Sequence, residues 1–111
     1  MKLSLFFLAS ATTLGLCCDP VSAKTVSISI MSGPFRFEPQ SVDANPGDTI
    51  TWTNTTNTQH TISPDQDGAF PEKDPIESKE TYSITVPANV GPLPYHCNFH
   101  PMNATINVVK P

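Results

Sequence analysis

The chain has 111 residues, with six Lys plus Arg against ten Asp plus Glu and a formal net charge of −4. That length accommodates one small domain and is too short for two once any leader is set aside. An acidic chain with no clustered basic residues argues against nucleic acid as a partner.

The chain opens "MKLSLFFLASATTLGLCCDPVSAKT". Lys2, the apolar run from Leu3 to Leu16 and the small residues Val21-Ser22-Ala23 are the grammar of a secretory signal peptide, with cleavage expected after Ala23. The apolar run is short for a bilayer span, and no later segment is more apolar. A lipoprotein anchored through Cys17 or Cys18 is the competing reading. It is the weaker one, because Leu16 or Cys17 stands where a small residue belongs before the acylated cysteine. Residues 1–23 are thus read as a signal peptide and residues 24–111 as a single exported domain.

Cleavage leaves Cys97 as the sole cysteine of the mature chain. It has no internal disulfide partner, and an unpaired thiol in an oxidising compartment calls for a reason. A buried cysteine serving as a small hydrophobe would be one.

Along the mature chain the hydrophobic period is two. Val26, Ile28 and Ile30 alternate with Thr25, Ser27 and Ser29. Ile50 and Trp52 alternate with Thr49, Thr51 and Thr53, and Tyr82, Ile84 and Val86 with Thr81, Ser83 and Thr85; Ile106 and Val108 follow near the end. Such runs predict half-buried strands with a hydroxyl-rich outer face. Gly33-Pro34, Asn45-Pro46-Gly47-Asp48, Asp67-Gly68 and Asn89-Val90-Gly91-Pro92 supply turns between them. Prolines are spread where a helix would need to run. The expected fold is all-β, an antiparallel Greek-key β-sandwich or barrel. "PDQDGAFPEKDPIES", Pro64 to Ser78, lacks alternation and is expected to be a long loop. Its carboxylates make the acidic 65–80 region either an ordinary solvated surface or a docking face for a cationic partner.

The chemistry gathers in "YHCNFHPM", Tyr95 to Met102. Tyr95-His96-Cys97 is expected to end a strand, and Asn98 to Asn103 to form a hairpin loop presenting Cys97, His100 and Met102. His60, just past the Ile50–Asn54 strand, is expected to reach the same end on a second loop. Two imidazoles, a thiolate and a thioether are the donors of a blue-copper electron-transfer site. A metal-bound, shielded thiolate is also a reason for an unpaired cysteine to persist. His96 precedes Cys97 in the strand, so its side chain belongs to the opposite face. A zinc or thiol enzyme fits poorly, since there is one cysteine and no relay or phosphate-binding motif.

These motifs resemble the cupredoxins, and among them the plastocyanin and amicyanin group of small blue copper proteins. "FRFEPQSVDANPGDTITWTN" is similar to the family's early strands, His60 to its isolated upstream histidine, and "YHCNFHPM" to its ligand loop. The resemblance implies a cupredoxin-like sandwich holding one copper ion that cycles between Cu(I) and Cu(II). It implies His60, Cys97 and His100 as ligands with Met102 axial, although Met102 falls one residue closer to His100 than in the amicyanin pattern. It also implies bridging roles behind the ligands for Thr61 and Asn98. The Gln59 carbonyl is an alternative occupant of the axial position. Leu93, Phe99 and Pro101, with Pro92 and Pro94, are expected to form an apolar docking rim around His100. The implied function is a monomeric, non-enzymatic carrier passing single electrons between redox proteins. A periplasmic copper-binding, copper-delivery or copper-resistance protein is the alternative.

Overall fold

The structure is a computed structural model that describes residues 23–111; the signal-peptide reading of residues 1–23 lies almost wholly outside the described residues. Nine strands follow one another: β1 (Thr25–Met31), β2 (Arg36–Glu38), β3 (Ser41–Ala44), β4 (Thr49–Asn54), β5 (His60–Pro64), β6 (Lys73–Ile76), β7 (Thr81–Thr85), β8 (Gly91–Cys97) and β9 (Met102–Val108). They form two sheets, in the orders β2-β1-β4-β7 and β3-β9-β8-β5-β6. The fold is the expected all-β sandwich, but its sheets are mixed. β1 pairs parallel to β4, and β3 parallel to β9. Hydrophobic period tells which face of a strand is buried, not which way its neighbour runs.

The alternating runs do what a half-buried strand must do. In β4, Ile50, Trp52 and Asn54 turn inward while Thr49, Thr51 and Thr53 remain partly exposed. Ile28 and Ile30 of β1 and Ile106 and Val108 of β9 face the same interior. At its centre Trp52 lies between the rings of Phe70 and Tyr82, at centroid distances of 5.9 and 6.0 Å. The Trp52 indole donates across to the hydroxyl of Tyr95 in the other sheet, 3.1 Å away. That bond lets two large amphipathic rings be buried without a stranded polar atom, so their apolar area stabilises the fold at full value.

Two parts of the chain differ from expectation. Pro64–Ser78 is not loop throughout, because Lys73–Ile76 forms β6 and pairs antiparallel with β5 at the sheet edge. An edge strand tolerates Pro75 and the charged residues that conceal it in the sequence. His60 likewise stands at the head of a strand rather than on a loop. His60, Thr61, Ile62 and Ser63 of β5 are all buried, so the strand has no polar face to betray it.

At the pole away from Cys97, Asn45-Pro46-Gly47-Asp48 is a tight turn. Asp48 N–H donates to the Asn45 carbonyl at 3.0 Å, and Gly47 carries φ +89° at the position a type II turn reserves for positive φ. The Asp48 carboxylate is 3% exposed and accepts from the Lys24 ammonium at 2.8 Å, the Asn45 amide at 2.9 Å and the Lys24 amide at 3.1 Å. These donors, the Lys24 ammonium foremost, hold its pKa at about 2, below the ordinary 3.8. A depressed carboxylate pKa means that the unfolded chain binds the proton more readily. The stabilisation is therefore complete above pH 3.8 and lost as pH falls through about 2. Replacing Asp48 by Asn should lower stability at neutral pH and flatten the acid-unfolding curve across that window, as followed by circular dichroism.

Candidate metal centre

Three chain segments converge at one end of the sandwich. β5 begins with His60, β8 ends with Cys97, and the turn between β8 and β9 carries His100. One donor atom from each lies within 4.8 Å of the other two. The Cys97 sulfur is 3.7 Å from His60 Nδ1 and 3.8 Å from His100 Nδ1. A first-row metal with bonds of about 2.0 Å to nitrogen and 2.3 Å to sulfur would set these atoms about 3.7 Å apart at a trigonal angle and about 3.5 Å apart at a tetrahedral one. The spacing fits one such ion held by two nitrogens and a sulfur, the donors associated with blue copper.

Met102 is buried beside this set and opens β9, where it pairs directly with Cys97. Directly opposed residues of an antiparallel ladder put their side chains on one face, with Cβ atoms about 4.5–5.5 Å apart. Its side chain thus leaves the sheet on the same side as the Cys97 thiol. The loop starts where expected but is shorter at its C-terminal end, since β9 begins at Met102 and only residues 98–101 intervene between the strands.

The sulfur is held by backbone. The amides of Thr61 and Phe99 each point at it from 3.4 Å. Thr61 also accepts the Asn98 amide on its hydroxyl at 2.7 Å, joining β5 to the ligand turn. Asn98 in turn donates to Ser63 at 3.0 Å and Glu72 at 3.1 Å, and Ser63 donates to Glu72 at 2.6 Å. The bridging arrangement expected of Thr61 and Asn98 is present, extended by Ser63 and Glu72. Nothing in the local sequence distinguishes Ser63 or Glu72, because their partners come from strand pairing. The Gln59 side chain turns outward to the Glu77 carboxylate, at 3.0 and 3.1 Å. His96 is on the opposite face from Cys97, between Asp65 and the Asn98 side-chain oxygen.

His60 is completely buried, and its other ring nitrogen meets the Thr56 hydroxyl at 3.0 Å. With Nδ1 given to a metal beside the sulfur, Nε2 carries the hydrogen and the Thr56 hydroxyl accepts it. Thr56 then passes its own hydrogen to Asn54 Oδ1 at 2.7 Å. The Asn54 amide hydrogens go to the carbonyls of Thr58 and Ile76 at 2.8 and 3.1 Å, which fixes that oxygen as the acceptor. The Thr56 hydroxyl has acceptors of its own in Asn54 Oδ1 and, at 3.1 Å, the Thr58 carbonyl, so it is free to accept the His60 N–H and favours the tautomer that leaves Nδ1 for metal. Burial, and then the charge of His100, also lower the His60 pKa and favour the neutral ring. Fully buried and doubly engaged, Asn54 is closed to a glycan despite its Asn54-Thr55-Thr56 sequon.

The outer face departs from the expected rim. Leu93 is buried on β8 opposite Ile106, four residues back from Cys97, and lines a groove with Gln66, Ala69 and Val90. It is not beside His100. In its place stands Phe35, whose ring packs 4.9 Å from that of His60 and 4.5 Å from that of His100. Phe99, 50% exposed, Pro101 and the part-exposed Phe35 are the apolar residues at this end. Phe35 lies in the turn after β1, distant in sequence from the ligand motif.

A two-sheet sandwich with this donor set defines a cupredoxin. Residues 24–109 match the model of the copper-binding proteins of the plastocyanin/azurin family, and the chain belongs to that family. It is a blue copper protein, and its cofactor is a single copper ion. Solved structures of amicyanin have the same fold. The reduced Cu(I) form of one amicyanin mutant at pH 4 matches at 24% identity and a TM-score of 0.67, covering 77% of this chain and 82% of its own. The Cu(I) form of a second amicyanin mutant matches at 24% identity and 0.68, covering 80% and 86%. A third, also reduced, matches at 22% identity with the same TM-score and coverage as the second.

The row behind His60 makes a testable statement about Thr56. Thr56→Val keeps the shape but leaves the His60 N–H without an acceptor and removes one of two donors from the Asn54 oxygen, which keeps the Thr56 main-chain N–H at 3.0 Å. Copper affinity should fall roughly 10- to 100-fold, and apo-protein stability by about 1–3 kcal/mol. Nitrogen-detected NMR of the apo-protein should show the Nε2–H tautomer of His60 in the wild type and a mixture in the variant. Thr56→Ser should restore both affinity and tautomer.

Proposed function

We propose that this protein is an exported carrier of single electrons. His60, Cys97, His100 and Met102 would hold its copper. The observation that carries the reading is the pairing of a preformed, buried donor cluster with one part-exposed ligand, His100, among exposed aromatic and proline side chains. Bound copper supplies a reversible one-electron couple. The chain keeps the donors in place through both states, since three of the four stand on strand ends. The edge of His100 serves as the electron portal. Phe35, Phe99 and Pro101 give a redox partner an apolar seat, with the acidic 65–80 region beside it available to a cationic partner. The protein works as a monomer and catalyses no reaction of its own. Among the described residues no helix is long and apolar enough to cross a membrane.

Residues 24–111 are the working domain, and residues 1–23 are removed on export to the periplasm or an equivalent compartment. The leader's composition and the start of the family match at residue 24 both support this division.

Copper(II) added to the mature protein should give an intense thiolate-to-copper absorption that Cys97→Ser abolishes. Faint absorption typical of nitrogen and oxygen ligands would overturn the blue-copper ligand set. Met102→Leu should retain copper while shifting the visible spectrum and raising the reduction potential. An unchanged spectrum and potential with lowered stability would reduce Met102 to a packing residue.

Portal and carrier are tested together by Phe99→Lys. This change should slow electron exchange with redox partners while copper content and spectrum stay constant. A copper-delivery protein would instead hand its metal to an apo-acceptor, and its exchange rate would be indifferent to Phe99.

A further inference from the structure

We propose that cleavage after Ala23 creates an ammonium group that the buried carboxylate of Asp48 captures, so that export processing itself tightens the fold. The proposal rests on the cleavage reading above and is independent of copper.

The geometry is local and specific. The Lys24 main-chain nitrogen is already 3.1 Å from Asp48 Oδ1, and the Lys24 ammonium is 2.8 Å from Asp48 Oδ2. One residue therefore approaches both oxygens of one carboxylate, from its backbone and from its side chain. A carboxylate only 3% exposed has lost most of its hydration, and positive charge must replace it. The long Lys24 side chain is half exposed and supplies that charge from solvent, with Asn45 sharing its ammonium at 3.3 Å. Before cleavage the main-chain nitrogen contributes a neutral amide donor. Afterwards the same atom, in the same place, is cationic and offers a charge-assisted bond.

The site is also anchored. Thr49 N–H donates to the Lys24 carbonyl at 2.9 Å, and the parallel β1–β4 ladder begins at the next residue, Thr25 opposite Thr49. Val86 N–H donates to the Asp48 carbonyl at 2.7 Å, and Gly47 N–H to Val86 at 3.0 Å. The start of β1, the turn before β4 and the end of β7 therefore meet around one carboxylate. A terminus one residue longer would move its charge about 3.8 Å away along the chain, and one residue shorter would remove Lys24 itself. Cleavage register is thus part of the fold.

The test compares three forms of the mature domain, which contains every described strand. They begin at Lys24, begin at Ala23, or begin at Lys24 with the α-amine acetylated. Urea unfolding at neutral pH and low salt should give the Lys24 form an unfolding equilibrium constant roughly fivefold smaller than either of the others, the margin between a neutral and a charge-assisted hydrogen bond. In Asp48→Asn the three forms should unfold together. Lys24→Met, which keeps the α-amine and removes the side-chain charge, should preserve the advantage over its own acetylated form. Equal midpoints for the free and acetylated Lys24 forms with Asp48 intact would overturn the proposal, whether or not Asp48→Asn folds. The intact mass of the exported protein tests the reading beneath it. A mass beginning at Lys24 supports the capture, whereas another first residue removes the group being captured.

Discussion

Thr61 ties the copper end together. Its amide points at the Cys97 sulfur from 3.4 Å, and its hydroxyl accepts the Asn98 amide at 2.7 Å. Two strands far apart in sequence are locked at the point where each delivers a ligand. His60 directly precedes Thr61 and faces the other side of β5, as neighbours in a strand must. Fixing Thr61 therefore fixes His60, and fixing Asn98 fixes the start of the turn that carries His100. The metal need not organise the site, because hydrogen bonds made without it already do so.

The two faces of β5 then divide the labour. On one, His60 is backed by Thr56 and Asn54 in a buried row of hydrogen bonds. On the other, Thr61 and Ser63 meet Asn98 and Glu72. Burying so many polar groups on one strand would be costly if any were left without a partner. Here the partners are present, and the result is a scaffold that resists rearrangement. Resistance to rearrangement suits the proposed electron carrier, since each electron moved would otherwise drag the ligands with it.

What the sequence made legible follows from the same physics. β1, β4, β7 and β9 bury one face and wet the other, so alternation exposes them. β5 is buried on both faces with a polar pattern, and β6 is an edge strand containing Pro75, so neither leaves a periodic trace. The cluster of His60, Cys97 and His100 was legible because so few residue types can serve a soft metal. The bridging of Thr61 and Asn98 was legible only through resemblance. Phe35, Ser63, Glu72 and Thr56 were not, because what each touches depends on how loops and strands come together in the fold, and the parallel ladders β1–β4 and β3–β9 lay outside what period alone can say. Leu93 was misplaced by counting residues towards a loop it does not reach.

Met102 shows why counting along the chain is the wrong measure for a ligand on a hairpin. Counted from His100, two residues before it, it comes one position early. The spacing that matters runs across the ladder, where Met102 stands opposite Cys97 and shares its face. Pro101 helps to reach that register by fixing its own φ and holding His100 towards extended backbone, and the Met102 amide returns to the His100 carbonyl at 2.8 Å. The shorter turn therefore need not withdraw the thioether from the metal. It draws the start of β9 towards the end of β8, so that thiol and thioether issue from paired residues rather than from a strand and a loop. Any change in how closely thiol and thioether approach must then work through the β8–β9 ladder, where Met102 and Cys97 are directly paired.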